Sequence, residues 1–75
     1  MEPRGTFARR LARLMEKRGL TQAELGRRMH EEDPYVGNQT RAINNWLKAR
    51  SEPTYQSLRL LRSALGCTWE ELMEG

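Results

Sequence analysis

The sequence predicts an all-helical domain of five short helices, and three observations support that fold class. Apolar residues recur three and four positions apart, as they do along the buried side of a helix. No stretch of any length alternates between polar and apolar residues as a strand does. Glycine and proline interrupt the apolar pattern, and 75 residues suffice for one small core, so we expect a single compact domain over residues 1–75.

The first helix is predicted to run from Thr6, its N-cap, to Arg18, with Gly19 placed to end it. Residues 1–5 are predicted to form a flexible arm in front of it. The side that faces the core is an apolar stripe at helical spacing, which consists of Phe7, Leu11, Leu14 and Met15.

The second helix opens with a capping box, in which Thr21 and Glu24 each satisfy a backbone N–H of the other. We predict that it ends at about Met29 or His30. The segment 30–38 then contains three acidic residues, a proline and a glycine, all poor material for a helix interior. It is predicted to be an inserted acidic turn. The residues that the second helix is expected to bury are Ala23, Leu25 and Met29.

Helical periodicity resumes at about Gln39 and continues to Lys48, which defines the third helix. After a loop over residues 51–53, Thr54 caps a fourth helix that Gly66 ends. A second capping box opens a short fifth helix and consists of Thr68, Trp69, Glu70 and Glu71. The remaining apolar residues assigned to the core are Leu20, Trp46, Leu58, Leu61, Leu65 and Trp69.

The residues needed for catalysis or metal binding are scarce. Cys67 is the one cysteine, so we predict no internal disulfide and no cysteine metal cluster, and we interpret it as a small buried hydrophobe. His30 and Asp33 are the one histidine and the one aspartate, and no serine or cysteine nucleophile is spaced to meet them. We expect no enzyme activity, no metal and no cofactor.

The composition also bears on location. No apolar run approaches the ~18 residues of a membrane span, and the N-terminal residues lack the apolar core of a signal peptide. Together with the unpaired cysteine, this predicts a reduced cytoplasmic setting, including the nucleoid.

Charge is distributed unevenly along the chain, whose net charge is +3. Residues 1–29 carry eight basic and three acidic side chains, whereas residues 30–38 carry three acidic side chains and no Lys or Arg. Residues 39–62 carry five basic and one acidic side chain, and residues 63–75 three acidic ones. Two basic blocks that flank an acidic turn suggest a surface that binds a polyanion, although an ordinary solvated surface is the alternative.

At 100° per residue, the third helix has two different sides. The apolar side is predicted to be buried and consists of Ile43, Trp46 and Leu47. The opposite side carries Arg41, Asn45 and Lys48, with Asn44 at its edge, and it has no acidic residue. Asparagine is a poor interior helix former, but Arg and Asn are the side chains that fork onto guanine and adenine. These residues therefore predict a base-reading helix, with an ordinary polar surface as the alternative.

Base readers need anchors on the phosphate backbone. Gln22, at the start of the second helix, can combine its amide with exposed backbone N–H groups there to hold a phosphate. Lys48 and Arg50 can hold another just past the third helix, and Arg4 can reach out from the arm, although plain surface charge is the alternative for all three. The predicted phosphate-contacting residues are Thr21, Gln22, Gln39, Lys48 and Arg50.

Several motifs in order resemble one family. The run Leu20-Thr21-Gln22-Ala23-Glu24-Leu25-Gly26, the pair Ile43-x-x-Trp46, the stretch from Pro53-Thr54 to Leu65-Gly66 and the closing Trp69-Glu70-Glu71-Leu72 resemble the phage-repressor family (lambda repressor and Cro, or XRE). The resemblance covers about residues 7–73. It implies a compact five-helix, lambda-repressor-like DNA-binding domain whose helices 2 and 3 form the helix-turn-helix.

The resemblance also implies roles for particular residues. The base-contacting positions of the family fall on Thr40, Arg41 and Asn45, with Asn44 as a possible fourth, and its phosphate-contacting glutamine falls on Gln22. Members of the family mostly act as dimers on two-fold operators, as repressors, regulators or antitoxins. The chain is therefore expected to bind double-stranded DNA as a homodimer.

The turn between helices 2 and 3 departs from the family, because such turns usually have about 3–4 residues. The longer turn over residues 30–38 is similar to that of POU-specific domains, which share the Thr-Gln-Ala-x-x-Gly and Gln-Thr stretches. Phosphates would repel its acidic residues. The turn either points away from DNA or meets a protein partner.

Three single positions also depart from the family. Met15 and Leu47 stand where it often pairs an arginine with a glutamate, which predicts a hydrophobic contact in place of a salt bridge. Arg62 replaces a small alanine, so the packing of the fourth helix is expected to shift. Ala49 replaces the glycine that commonly ends the third helix, and this affects the path of the chain that follows.

Together these observations predict a sequence-specific transcriptional regulator that binds double-stranded DNA, more specifically a repressor that reads the major groove with its third helix. The C-terminal helix with Trp69, Leu72 and Met73 is a candidate dimer surface, although Trp69 can instead lie in the core. The alternative function is a protein-interaction module or antitoxin that uses the acidic turn or helix 5. Nonspecific binding of polyanions is a third possibility.

Overall fold

The described part of this chain folds into five α-helices. The structure is a computed structural model that describes residues 4–73, without the side chains of residues 4–6. The helices are α1 (Arg4–Arg18), α2 (Gln22–Glu32), α3 (Thr40–Leu47), α4 (Tyr55–Leu65) and α5 (Trp69–Met73). Residues 4–73 contain no strand, so the predicted all-helical, five-helix fold is confirmed. None of these helices is both long and apolar enough to cross a membrane.

The assignment of Thr6 as the N-cap of the first helix is wrong. Within the described residues α1 covers Arg4–Arg18, so the chain is already helical before Thr6. Arg4 and Gly5 are helical and not part of an arm, and the rest of the predicted arm, residues 1–3, lies outside the described residues. Gly19 ends α1 as predicted, with a left-handed φ of 65°.

The second helix keeps its predicted start but not its predicted end. The backbone N–H of Glu24 donates to Thr21 Oγ1 at 3.1 Å, and the N–H of Thr21 donates to Glu24 Oε1 at 3.0 Å. α2 continues past His30 to Glu32, because Pro34 forces only the residue before it out of the helical region. Asp33 accordingly has an extended backbone, with φ −140° and ψ 95°. The irregular turn therefore covers residues 33–39 and not 30–38.

The ends of the last two helices agree with the sequence prediction. Thr54 caps α4 by accepting a hydrogen bond from the N–H of Ser57 at 3.2 Å. Gly66 ends that helix in the left-handed region, with φ 66°. Thr68 and Glu71 form the second capping box, with both hydrogen bonds at 3.1 Å.

Each of the five helices contributes to one apolar core, in which α2 packs against α3 and α4, and α1 against α3, α4 and α5. The core residues are Leu11, Leu14, Met15, Leu25, Met29, Ile43, Trp46, Leu61, Ala64, Leu65, Cys67 and Leu72. The prediction that Ala23 is buried is wrong, because Ala23 is exposed and Gly26 is buried on that helix.

Trp69 is the other exception to the predicted core. Its side chain is 37% exposed, so placing it in the core is wrong. The guanidinium of Arg62 lies 5.4 Å from the centre of the Trp69 ring, and Tyr55 stacks on that ring at 6.0 Å. Trp69 therefore packs against Arg62 and Tyr55 at the surface and does not enter the core.

Burial and capping shift the pKa values of three ionisable groups. A hydrogen bond from the backbone of Thr21 lowers the pKa of Glu24, and one from the backbone of Thr68 lowers the pKa of Glu71. Burial raises the pKa of the Cys67 thiol above its usual value of 9.0. The two capping boxes are thus stronger when their carboxylates are ionised.

Candidate nucleic-acid interface

α3 has one side that faces the core and one that faces solvent, as its sequence predicts. Ile43 is 0% exposed and Trp46 is 5% exposed, so the predicted apolar side faces the core, with Leu47 half-buried beside it. Arg41 is exposed on the other side, and Asn45 is half-buried. Because Ile43 and Trp46 hold one side of the helix inside the protein, the opposite side has a fixed direction toward solvent.

The start of α3 is held by a close approach to α2 at Gly26. A Cβ atom at this position would lie 2.6 Å from both the backbone nitrogen and the Oγ1 of Thr40, and 3.1 Å from Asn38 Oδ1. A real Cβ does not come within 3.0 Å of a backbone atom. Gly26 is therefore a steric requirement of the contact that fixes where α3 begins.

The side chain of Asn38, the residue before the N-cap Gln39, bonds to that same end of α3. Its Oδ1 accepts a hydrogen bond from the Thr40 backbone N–H at 2.8 Å and another from the Thr40 hydroxyl. The Thr40 hydroxyl thus donates inward, which leaves its methyl group and oxygen lone pairs for other contacts. Sequence reasoning included Gly26 only as part of a family motif and gave no role to Asn38, although a glycine inside a helix and an asparagine close to the start of one are both recognisable signals.

A side-chain hydrogen bond joins the two helices at Gln22. Asn44 Nδ2 donates to Gln22 Oε1 at 3.1 Å, and both side chains are half-buried. Gln22 is the first residue of α2, directly after its N-cap Thr21. The predicted phosphate anchor and one predicted reader are therefore in direct contact.

The end of α3 is unusual because Ala49 is its left-handed residue, with φ 56°. The N–H of Arg50 donates to the carbonyl of Asn45 at 2.9 Å, and the N–H of Ala49 to that of Trp46 at 3.1 Å. This pair of bonds is the Schellman motif, which glycine normally completes. Ala49 occupies the position that glycine normally takes in this motif, and Lys48 and Arg50 are exposed beside the end of α3.

The two apolar residues that replace the family's salt bridge both lie in or against the core. Met15 is 7% exposed and belongs to the core cluster, and Leu47 packs against the same cluster.

The turn between α2 and α3 has a defined conformation. Asp33 Oδ1 accepts a hydrogen bond from the N–H of Tyr35 at 3.1 Å, and the His30 ring bonds to the carbonyl of Val36. Asp33 Oδ2 accepts a bond from Gln56 Nε2 of α4 at 3.4 Å. The acidic end of α2 therefore lies beside α4, while Tyr35 is 99% exposed.

The remaining predicted anchors lie at helix ends. Gln39 Nε2 donates to the carbonyl of Gly37 at 3.0 Å, so this side chain is engaged within the turn before α3. The Thr21 hydroxyl accepts the capping bond from Glu24. The Arg4 side chain lies outside the described residues.

α3 is a short helix held through its apolar side, and its other side carries arginine and asparagine. It follows a capped helix of comparable length. This arrangement defines a helix-turn-helix DNA-binding domain. A family model described as helix-turn-helix matches residues 11–72, so the chain belongs to this family, which is the XRE-like family of the phage repressors. The chain is thus a DNA-binding protein of the kind that regulates transcription, and its family is one whose members are typically not enzymes. No curated protein and no solved structure matches the chain closely enough to count as a relative.

Proposed function

We propose that this chain is a sequence-specific transcriptional repressor that inserts α3 into the major groove of duplex DNA. The observation that carries the proposal is the surface of α3. It presents Arg41 and Asn45 with no acidic residue, and Ile43 holds the opposite side in the core. Arginine reads guanine and asparagine reads adenine through paired hydrogen bonds.

The proposed roles follow the position of each residue. Thr40, Arg41 and Asn45 contact base edges from the start and the middle of α3, where recognition helices of this kind meet bases. Asn44, the fourth predicted reader, differs from them through its bond to Gln22 and is considered below. The proposed phosphate contacts are Thr21, Gln22, Gln39, Lys48 and Arg50.

Selection of bound sequences from a random duplex library at two salt concentrations tests this proposal. The wild-type chain should enrich one motif, and its affinity should fall steeply as salt rises, because phosphate contacts release counterions. Lys48→Ala should weaken all sequences about equally and lower the salt slope by about 1. Binding without any enriched motif would reduce the function to nonspecific polyanion binding.

We propose further that a second copy of the chain binds at the aromatic surface, which we define as Tyr55, Trp69 and Met73. These side chains are 70%, 37% and 42% exposed, respectively. A single module buries only ~600–1,000 Å² on DNA, and a two-fold dimer doubles the contacts. Contiguous exposed aromatic side chains are typical of protein contacts. Leu72, which the sequence also suggested for this surface, is 0% exposed and belongs to the core.

The dimer is tested by comparing a two-fold duplex with a single half-site. Trp69→Ser should weaken binding to the two-fold duplex and leave binding to the half-site unchanged. Tyr35→Ser is the matched control, because Tyr35 is also an exposed aromatic residue but lies in the turn. Equal effects of Trp69→Ser on both duplexes would exclude the aromatic surface as the dimer contact.

The second candidate function is a protein-interaction module, and the exposure of Tyr35 beside the acidic end of α2 favours it. Tyr35 is 99% exposed, and its turn is ordered by Asp33 and His30. A protein contact centred on this tyrosine would persist at high salt, whereas DNA binding would not. Loss of partner binding in Tyr35→Ser, with no enriched DNA motif in the wild type, would favour this candidate.

A further inference from the structure

The hydrogen bond between Asn44 and Gln22 has a definite polarity. The nitrogen of the Asn44 amide donates, and the oxygen of the Gln22 amide accepts, over 3.1 Å. Asn44 lies on α3 and Gln22 is the first residue of α2, so the bond crosses between the two helices of the motif. Both side chains are half-buried.

This polarity matters because a phosphate only accepts hydrogen bonds. A glutamine amide has an accepting oxygen and a donating NH₂ group. If its oxygen pointed at a phosphate, the two would repel each other. With that oxygen bonded to Asn44, the NH₂ group of Gln22 is left to donate elsewhere. It does so from the first turn of α2, where backbone N–H groups also favour an anion.

We propose that Asn44 is a positioning residue that fixes the Gln22 amide with its NH₂ group toward a DNA phosphate, and that Asn44 does not read a base. This inference rests on the proposed function, because it presupposes that Gln22 meets DNA. Bidentate reading of adenine uses both ends of an asparagine amide. The bond to Gln22 turns the nitrogen of Asn44 toward α2, whereas Asn45 has no such bond among those between described residues and keeps the reading role.

A double-mutant cycle tests whether Asn44 acts through Gln22. The chains compared are the wild type, Gln22→Ala, Asn44→Ala and the double variant, on the duplex that the wild type selects. Gln22→Ala should weaken binding about tenfold, as expected for loss of a hydrogen bond to a charged group. Asn44→Ala should weaken it by a smaller factor in the wild-type background and have no further effect in the Gln22→Ala background.

Base preference is the second readout, because a substitution that only destabilised the fold would affect Asn44 and Asn45 variants alike. Asn44→Ala should keep the selected motif at every position, whereas the matched control Asn45→Ala should relax one base pair. Asn44→Leu repeats the test with a neutral side chain of similar size, in case alanine destabilises the fold. Thermal unfolding of each variant shows that binding is measured on folded protein.

The outcomes separate this inference from the proposed function. If the wild type selects a motif but Asn44→Ala relaxes one base pair, Asn44 is a reader and the inference fails alone. The inference also fails alone if the effects of the two single substitutions simply add. If the wild type selects no motif, the proposed function and the inference both fail.

Discussion

Replacing Gly26 by alanine places two physical effects in direct opposition. Alanine is a better helix former than glycine by about 1 kcal/mol, so helix propensity alone predicts a more stable protein. The contact with α3 predicts the reverse. The added methyl group would lie 2.6 Å from the backbone nitrogen of Thr40, where an ordinary contact is 3.4–4 Å.

The magnitude follows from how far the backbone must move. Relieving the overlap requires a shift of nearly an ångström at the start of α3, and that start is also held by Asn38 and by the buried Ile43. Overpacking in a well-packed interior costs typically about 1–3 kcal/mol, and we expect the upper part of that range, about 2–3 kcal/mol, because backbone atoms cannot rotate away as a side chain does. After the propensity gain is subtracted, we expect the free energy of unfolding to fall by about 1–2 kcal/mol. In a domain of this size, that lowers the Tm by roughly 5–15 °C.

Thermal and urea unfolding followed by circular dichroism measure this change. Gly37→Ala is the matched control, because Gly37 has no heavy atom within 4 Å of the added Cβ and its φ is not positive. It should be neutral or stabilise the protein by up to about 1 kcal/mol. A Gly26→Ala protein at least as stable as the wild type would refute the steric argument, since propensity would then have outweighed the contact.

Three further predictions concern other residues. Ala49→Gly should raise the free energy of unfolding by about 0.5–1 kcal/mol in a urea titration, because it relieves a left-handed alanine, and a lower stability would contradict that conformation. The pKa values of Glu24 and Glu71 are lowered from 4.5, so their caps stabilise the protein above that pH and lose this effect as pH falls through the lowered values. Replacing both with Gln should reduce the loss of stability between about pH 5 and pH 3, and an unchanged acid profile would exclude the caps as its source. Arg41→Ala should cost about 1–3 kcal/mol of binding free energy at one base pair, and an unchanged selected motif would exclude that residue as a reader.

The sequence predicted the fold well where local chemistry decides it. The capping boxes at Thr21 and Thr68, and the left-handed glycine at Gly66, each act within a few residues, so their signals are complete in the sequence. The predicted end of α2 was wrong because the acidic residues after His30 suggested a turn. Glutamate forms helices well, and the decisive signal was the proline at position 34.

The sequence predicted which side of α3 is buried, but it did not predict which side chains of the site contact one another. Periodicity identified which side of α3 is buried, because it depends on spacing alone. The bond between Asn44 and Gln22 joins residues that are distant in sequence, and either amide has several possible partners. The exposure of Trp69 escaped prediction for a similar reason, since the residues that contact its ring, Arg62 and Tyr55, lie on a different helix.

The length of the turn over residues 33–39 does not by itself determine where α3 lies. In a short helix-turn-helix, the number of residues in the turn sets the angle between the two helices. Here Gly26 and Asn38 set the start of α3 through direct contacts, and Pro34 and Tyr35 at the outer part of the turn are exposed. The contacts of Gly26 and Asn38, and not the number of residues in the turn, therefore place α3. We expect an insertion between Pro34 and Tyr35 to break the bond between Asp33 and Tyr35 while the second helix of the motif stays docked.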